Sequence, residues 1–302
     1  MNITDYIIKL KNKFNYAENL CNILEKILPA VIEYYGKENE ELILNTLYNC
    51  EIHIQKENEE EQEYIDRYFD SNDKIENPSL SGAYYEKRFK VKDEKVISKS
   101  IIFIKTKPFE AFYVPFDEKN LDNIAEIIHE ICHAIKSQRN FYIHENNIID
   151  FSGMRSVLYE PISDDSFKET SANNIGIDEA FNTYDHEEIM KKIYGNDYNY
   201  SDMYASLCNI VKIFMQHENI KKAIIEANIY GSEEWKKIIG EEKANLLIRG
   251  LNAMVNILYK PVGEQIKPNS LKQFEILRKQ MIQLAEDINI QLCREEEQQK
   301  IL

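Results

Sequence analysis

The chain has 302 residues, 43% of them hydrophobic, with 37 Lys and Arg against 52 Asp and Glu for a net charge of −15. That length builds one large domain or two moderate ones around a proper core, and the composition is that of an ordinary folded protein. The acidic balance argues against a general nucleic-acid binder, which needs a basic surface, and no apolar stretch is long enough to span a bilayer. Met1 to Tyr6 lacks the basic start and apolar run of a secretory signal. The expected compartment is therefore the cytosol, and export without a cleaved signal would leave the same pattern. The charge either steers cationic substrates or serves as a solvated surface. The cysteines, Cys21, Cys50, Cys132, Cys208 and Cys293, are scattered and form no C-x-x-C, so reduced thiols are expected rather than a disulfide framework.

Few glycines and prolines and many Ile, Leu, Glu and Lys predict a predominantly helical α+β protein. Ile7, Leu10, Phe14, Ala17, Leu20, Leu24, Leu28 and Val31 mark a helical run over 3–35, with a break or kink at Pro29 and a stop at Gly36. A short helix over 40–48 follows, then an acidic run over 57–63 that reads as a solvated face or loop. Beyond Gly82 the texture changes. Tyr85, Phe89 and Val91 alternate with polar residues, 92–95 reads as a turn, and Val96 to Lys105 reads as a strand centred on Ile101-Ile102-Phe103-Ile104. Pro108 closes it, Phe109 to Phe116 forms an aromatic loop, and Asp117 or Asn120 caps a helix from Leu121 to about Ser137. Residues 138–175 read as irregular, and helical texture returns at Ile177. At the end, Ser270 with Gln273 suggests a capping box before a stripe of Leu271, Phe274, Leu277, Met281, Leu284, Ile288 and Leu292. The division expected is a helical region over 1–80, a sheet with a central helix over 81–137, and a helical part over 138–302.

The helix over 121–137 carries His129-Glu130-Ile131-Cys132-His133, which is H-E-x-x-H. Residues four apart lie on one helical face, so His129 and His133 can grip one cation while Glu130 reaches a water beside it. Ile124, Ile127, Ile128, Ile131 and Ile135 supply a buried stripe. Cys132 is rotated away from the two rings and reads as a packing residue.

A catalytic zinc needs three protein ligands and an open position. One class of site places a third histidine after a glycine shortly downstream, but Lys136 and Arg139 stand in that stretch. A glutamate from a second helix is the other solution, and Glu179 in Gly176-Ile177-Asp178-Glu179-Ala180-Phe181 is the leading candidate. Ala180 permits close approach, Ile177 and Phe181 bury the opposite side, and Asp178 is a first-turn charge or a supporting group. The rivals are Glu169, His186, Glu187, His144 and Glu145. His53 and His217 read as ordinary surface or core histidines.

His129-Glu130-x-x-His133 together with Asp178-Glu179-Ala180 resembles the gluzincins, the zinc peptidases typified by thermolysin. The resemblance is confined to these two short patches. It implies a zincin-like fold with a small sheet on the motif helix and a helical C-terminal subdomain. It implies Zn2+ held by His129, His133 and Glu179, with Glu130 as general base in the hydrolysis of a peptide or protein substrate. Thermolysin-like members carry an Asp four residues after the glutamate ligand to orient the first histidine. Thr183 stands there, so that role has no owner. Similar enzymes use a Tyr or His as the oxyanion donor. Tyr159, Tyr184, Tyr194, Tyr198, Tyr200, Tyr204 and His186 compete for it, with Tyr204 or Tyr200 preferred because they open the helix after the ligand helix. The strand over 97–105 is expected to be the sheet edge that aligns substrate, or else an internal strand. A zincin-like scaffold acting as an inactive binding or regulatory protein is the alternative reading.

Overall fold

The first apolar run folds as two helices, α1 (Ile3–Phe14) and α2 (Glu18–Tyr35), and the break falls at Asn15 rather than at Pro29. Asn15 takes a φ of 56°, a left-handed conformation that Asn tolerates better than most residues. Pro29 lies inside α2. Its missing N–H removes one helical bond, but burial of Leu24, Ile27, Leu28 and Val31 carries the helix past it. Gly36, at a φ of 93°, ends α2 where expected. The computed structural model describes residues 3–70, 82–106, 116–117, 119–137, 141–163, 166–196, 204–258 and 268–301. The expected aromatic loop before the motif helix lies, but for Phe116, outside the described residues.

Helix α3 (Glu40–Asn49) runs directly into β1 (Cys50–Ile54), a strand the sequence reading does not anticipate. The acidic run lies on the surface and leads into α4 (Glu61–Phe69). Strands β2 (Ala83–Lys92) and β3 (Lys95–Ile104) then form a hairpin. The sheet order is β1-β3-β2, with β1 parallel and β2 antiparallel to the central strand. Strand β3 is therefore internal, and the expectation that it forms a substrate-aligning edge is corrected. The cause is visible in its side chains. Ile101 and Phe103 pack with Tyr64, Ile65 and Phe69 of α4, whereas Ile102 and Ile104 enter the main core. A strand buried on both faces reads as a continuous apolar run.

Helix α5 (Leu121–Lys136) carries the H-E-x-x-H motif and is capped by Asn120, whose side chain accepts the Asp122 N–H. Its isoleucine stripe joins residues of α1, α2, α3, β1 and β3 in one core. The helices over 1–49 and the motif helix thus share a hydrophobic interior.

The stretch expected to be irregular forms a second, antiparallel sheet of β4 (Tyr142–His144), β5 (Asn147–Ser152), β6 (Arg155–Pro161) and β7 (Phe167–Asn173) in that order. Its buried face carries Asp150 and Ser152 beside Ile148, which masks the apolar alternation. The remaining helices are α6 (Ile175–Tyr194), α7 (Ala205–Val211), α8 (Glu218–Tyr230), α9 (Glu234–Ile239), α10 (Glu241–Leu258) and α11 (Pro268–Ile301). They build a second core around Phe181, Phe214, Trp235, Leu247 and Ile288. Because α11 begins at Pro268, Ser270 lies within its first turn and is not a cap. The architecture is α+β and predominantly helical. No helix of the described residues is long and apolar enough to cross a membrane.

Candidate metal centre

Two helices bring the chemistry together. Helix α5 presents His129, Glu130 and His133, and the N-terminal part of α6 presents Glu179. Helix α6 is held in place by its neighbours. The Gly176 N–H donates to Asn252 Oδ1 at 2.8 Å, and a Cβ on Gly176 would collide with the Leu251 carbonyl. Ile177, Ala180 and Phe181 are fully buried on the side away from α5.

One ligand atom from each of His129, His133 and Glu179 fits within a 4.8 Å cluster, the only such group among the described residues. Glu179 Oε2 lies 3.4 Å from His129 Nε2 and 3.3 Å from His133 Nε2. These separations exceed the usual N–H···O range. They equal the edge of a tetrahedron with metal–ligand bonds of 2.0–2.1 Å, about 3.3–3.4 Å. No hydrogen bond of normal geometry reaches the buried Glu179 Oε2, which meets the two rings only at ion-pair distance, and a cation at the centre of the cluster would bind it directly. Two imidazoles and a carboxylate are a donor set suited to zinc. The residues present fit the ion.

The far sides of both rings are occupied. His129 Nδ1 lies 3.2 Å from His186 Nδ1, and His133 Nδ1 lies 3.5 Å from Asp178 Oδ2. Burial, reinforced by the neighbouring His129, pushes the His186 pKa well below the usual histidine value. His186 is thereby held neutral, and its Nδ1 meets the His129 nitrogen that points away from Glu179, so His129 Nε2 faces the carboxylate. His186, read from sequence as a rival ligand, instead stands behind the His129 ring, on the side away from Glu179. Asp178, anticipated as a first-turn charge or a supporting group, faces His133 and also accepts the Met154 N–H at 3.3 Å.

Charge within the site is strongly coupled. Burial alone would lower the pKa of His133, but Glu179, Asp178 and Glu130 outweigh it and hold the ring at about 10. Burial would likewise raise Glu179, yet His133 and His129 keep it well below the ordinary carboxylate range. Glu130 is pushed up by burial in spite of both histidines.

The other residues anticipated from sequence have packing or bonds of their own. Tyr204 precedes α7 and is packed in the second core, and Tyr198 and Tyr200 lie outside the described residues. The Tyr184 hydroxyl donates to the Met215 carbonyl and that of Tyr159 to the Lys87 carbonyl. Glu169 accepts from Arg155, Glu187 pairs with Lys212, and His144 and Glu145 sit at an exposed hairpin. His53 is stacked on Tyr64 and bonded to Glu59, and His217 is bonded to Glu296 and Asn289. Cys132 is buried, and burial pushes its thiol up to about 12.

Sequence reasoning passes over Arg155 and Asn182. The Arg155 guanidinium feels Glu169, Asp178 and Glu179, but it lies on a strand with no apolar signature. Asn182 Nδ2 donates to the His129 carbonyl at 3.0 Å, a contact visible only once α5 and α6 are docked. Comparison of the chain with protein-family models, with curated proteins and with solved structures finds no match.

Proposed function

We propose that this chain is a zinc-dependent peptidase of the gluzincin kind, with His129, His133 and Glu179 as ligands and Glu130 as general base. The observation that carries this reading is the single Glu179 oxygen poised 3.3–3.4 Å from both ring nitrogens, with a buried glutamate on the same helix. A purely structural zinc site closes with a fourth protein ligand and needs no base. Among the described residues the metal-competent group has three members, with Glu130 beside it.

Zinc held there lowers the pKa of water toward neutrality and polarises a carbonyl. Glu130 takes up the proton released and hands it to the leaving amine. Its raised pKa brings it nearer to a neutral working pH, as a proton carrier requires. His186 and Asp178 fix the orientation of the two rings. The packing of α5 against the β1-β3-β2 sheet, with α6 alongside, supports a zincin-like arrangement. Since β3 is internal, the outer strand β2 is the one open to substrate alignment in this reading.

Elemental analysis and peptide-library cleavage test the proposal together. The purified chain is expected to hold about one zinc. Glu130→Gln should keep the metal and lose at least about a hundredfold in hydrolysis, whereas Glu179→Ala should lose the metal. Wild-type protein that takes up no zinc on titration sinks the reading.

A further inference from the structure

A fully buried polar network adjoins the proposed metal centre and joins the C-terminal turn of α5 to the middle of α6. Lys136 Nζ donates to Asn182 Oδ1 at 2.9 Å and pairs with Asp185 Oδ2 at 2.9 Å, with neither charged side chain exposed. Asp185 also accepts from the Tyr34 hydroxyl at 2.6 Å, the Tyr35 hydroxyl at 3.0 Å and the Asn228 amide at 3.4 Å. Asn182 completes the link by donating to the His129 carbonyl at 3.0 Å.

We infer that Asn182, Lys136 and Asp185 are positioning residues that set the register of α5 against α6 before any metal arrives. The inference rests on the metal-site reading above. Lys136 lies three residues beyond the ligand His133, and Asn182 lies three residues beyond the ligand Glu179. Each helix therefore carries its ligand and its network residue about one turn apart on one face. Sliding α5 along α6 by a single residue, about 1.5 Å, would break the Lys136–Asn182 and Asn182–His129 bonds together. A zinc cage tolerates only about 0.2 Å in its bonds. The Asn182 side chain of α6 bonded to an α5 backbone carbonyl, with a buried ion pair beside it, supplies that tolerance, and apolar packing, which is non-directional, does not. Stability gives no reason to keep the pair, because buried ion pairs are commonly replaced by apolar groups without loss.

The test is Asn182→Leu in the full chain. Zinc affinity is measured by competition with a chromophoric chelator, tetrahedral geometry by the visible absorption of the cobalt(II) form, and folding by thermal unfolding of the metal-free protein. The expected result is a cooperatively folded variant whose zinc affinity falls about 10–100-fold and whose cobalt spectrum departs from wild type. A folded variant with wild-type affinity and spectrum overturns the inference. If the variant does not fold, hydrogen exchange on wild-type protein decides. Protection of amides 129–136 and 178–186 should already be present without metal and change by less than about tenfold on adding zinc. Protection that arises only with zinc refutes prior registration by the network. A wild-type chain that binds zinc while either outcome fails removes this inference alone, whereas one that binds none removes the metal reading itself.

Discussion

At His133, a proton and the proposed zinc would compete for the same ring. Glu179 and Asp178 hold its pKa near 10 in the metal-free protein, so at pH 8 the ring carries a proton that a zinc ligand cannot keep. Zinc binding at pH 8 is expected to release about one proton, read by calorimetry in buffers of different ionisation enthalpy. Binding heats that do not vary with buffer would contradict the assignment. The same coupling makes the metal-free fold pH-dependent. Its contribution is complete below the ordinary histidine value and is lost as the pH rises toward about 10. The depressed Glu179 describes the acid side of that one interaction, whose support is lost as pH falls through its lowered pKa. The residue types at 129, 130 and 133 announce this chemistry because a four-residue spacing dictates a shared face. The partners of the rings are harder to read. His186 and Asp178 lie on α6, but which ring nitrogen each meets depends on how two helices dock.

The hairpin turn between β5 and β6 shows how an unanticipated element supports an anticipated site. Gly153 sits there with a φ of 58°, its N–H donates to the Lys136 carbonyl, and an added Cβ would lie 2.5 Å from Asp178 Oδ1. The next residue, Met154, donates its N–H to that oxygen. Gly153→Ala is therefore expected to cost about 1–2 kcal/mol through its left-handed backbone and to lower the Tm by a few degrees. Displacing Asp178 should also weaken zinc binding, which thermal melts and metal titration on one preparation would show. An unchanged Tm with unchanged affinity would remove the turn from the site. The second sheet escaped sequence reading because polar side chains share its inward face, as Asp150 does by pairing with Lys87 at 2.7 Å. Strand β1 escaped because its five residues follow a helix without a turn signal. Helix α5 was legible because sustained apolar periodicity and a capping Asn120 mark it.

The molecule as a whole is more interdependent than a division at residue 80 suggests. Tyr6, Leu24, Ile27, Val31 and Ile43 from the N-terminal helices share one core with Ile124, Ile127, Ile128 and Ile131 of the motif helix. Strand β1 contributes a parallel partner to β3. A fragment comprising 81–302 should therefore neither unfold cooperatively nor bind zinc, since it exposes the inner face of α5 and removes the phenols that bond Asp185. A fragment with native near-ultraviolet dichroism and full zinc uptake would refute this. The predominance of helix was legible from composition, whereas the sharing of one interior by distant segments is a tertiary fact that no local pattern encodes. The Cys132 thiol carries a practical corollary of that shared interior. It lies on the motif helix, wholly enclosed, while Cys293 is exposed. A small electrophile such as iodoacetamide thus meets Cys293 directly but must wait for the motif helix to come away before touching Cys132, which turns that sulfur into a built-in clock for the opening of the protein's most chemically committed segment.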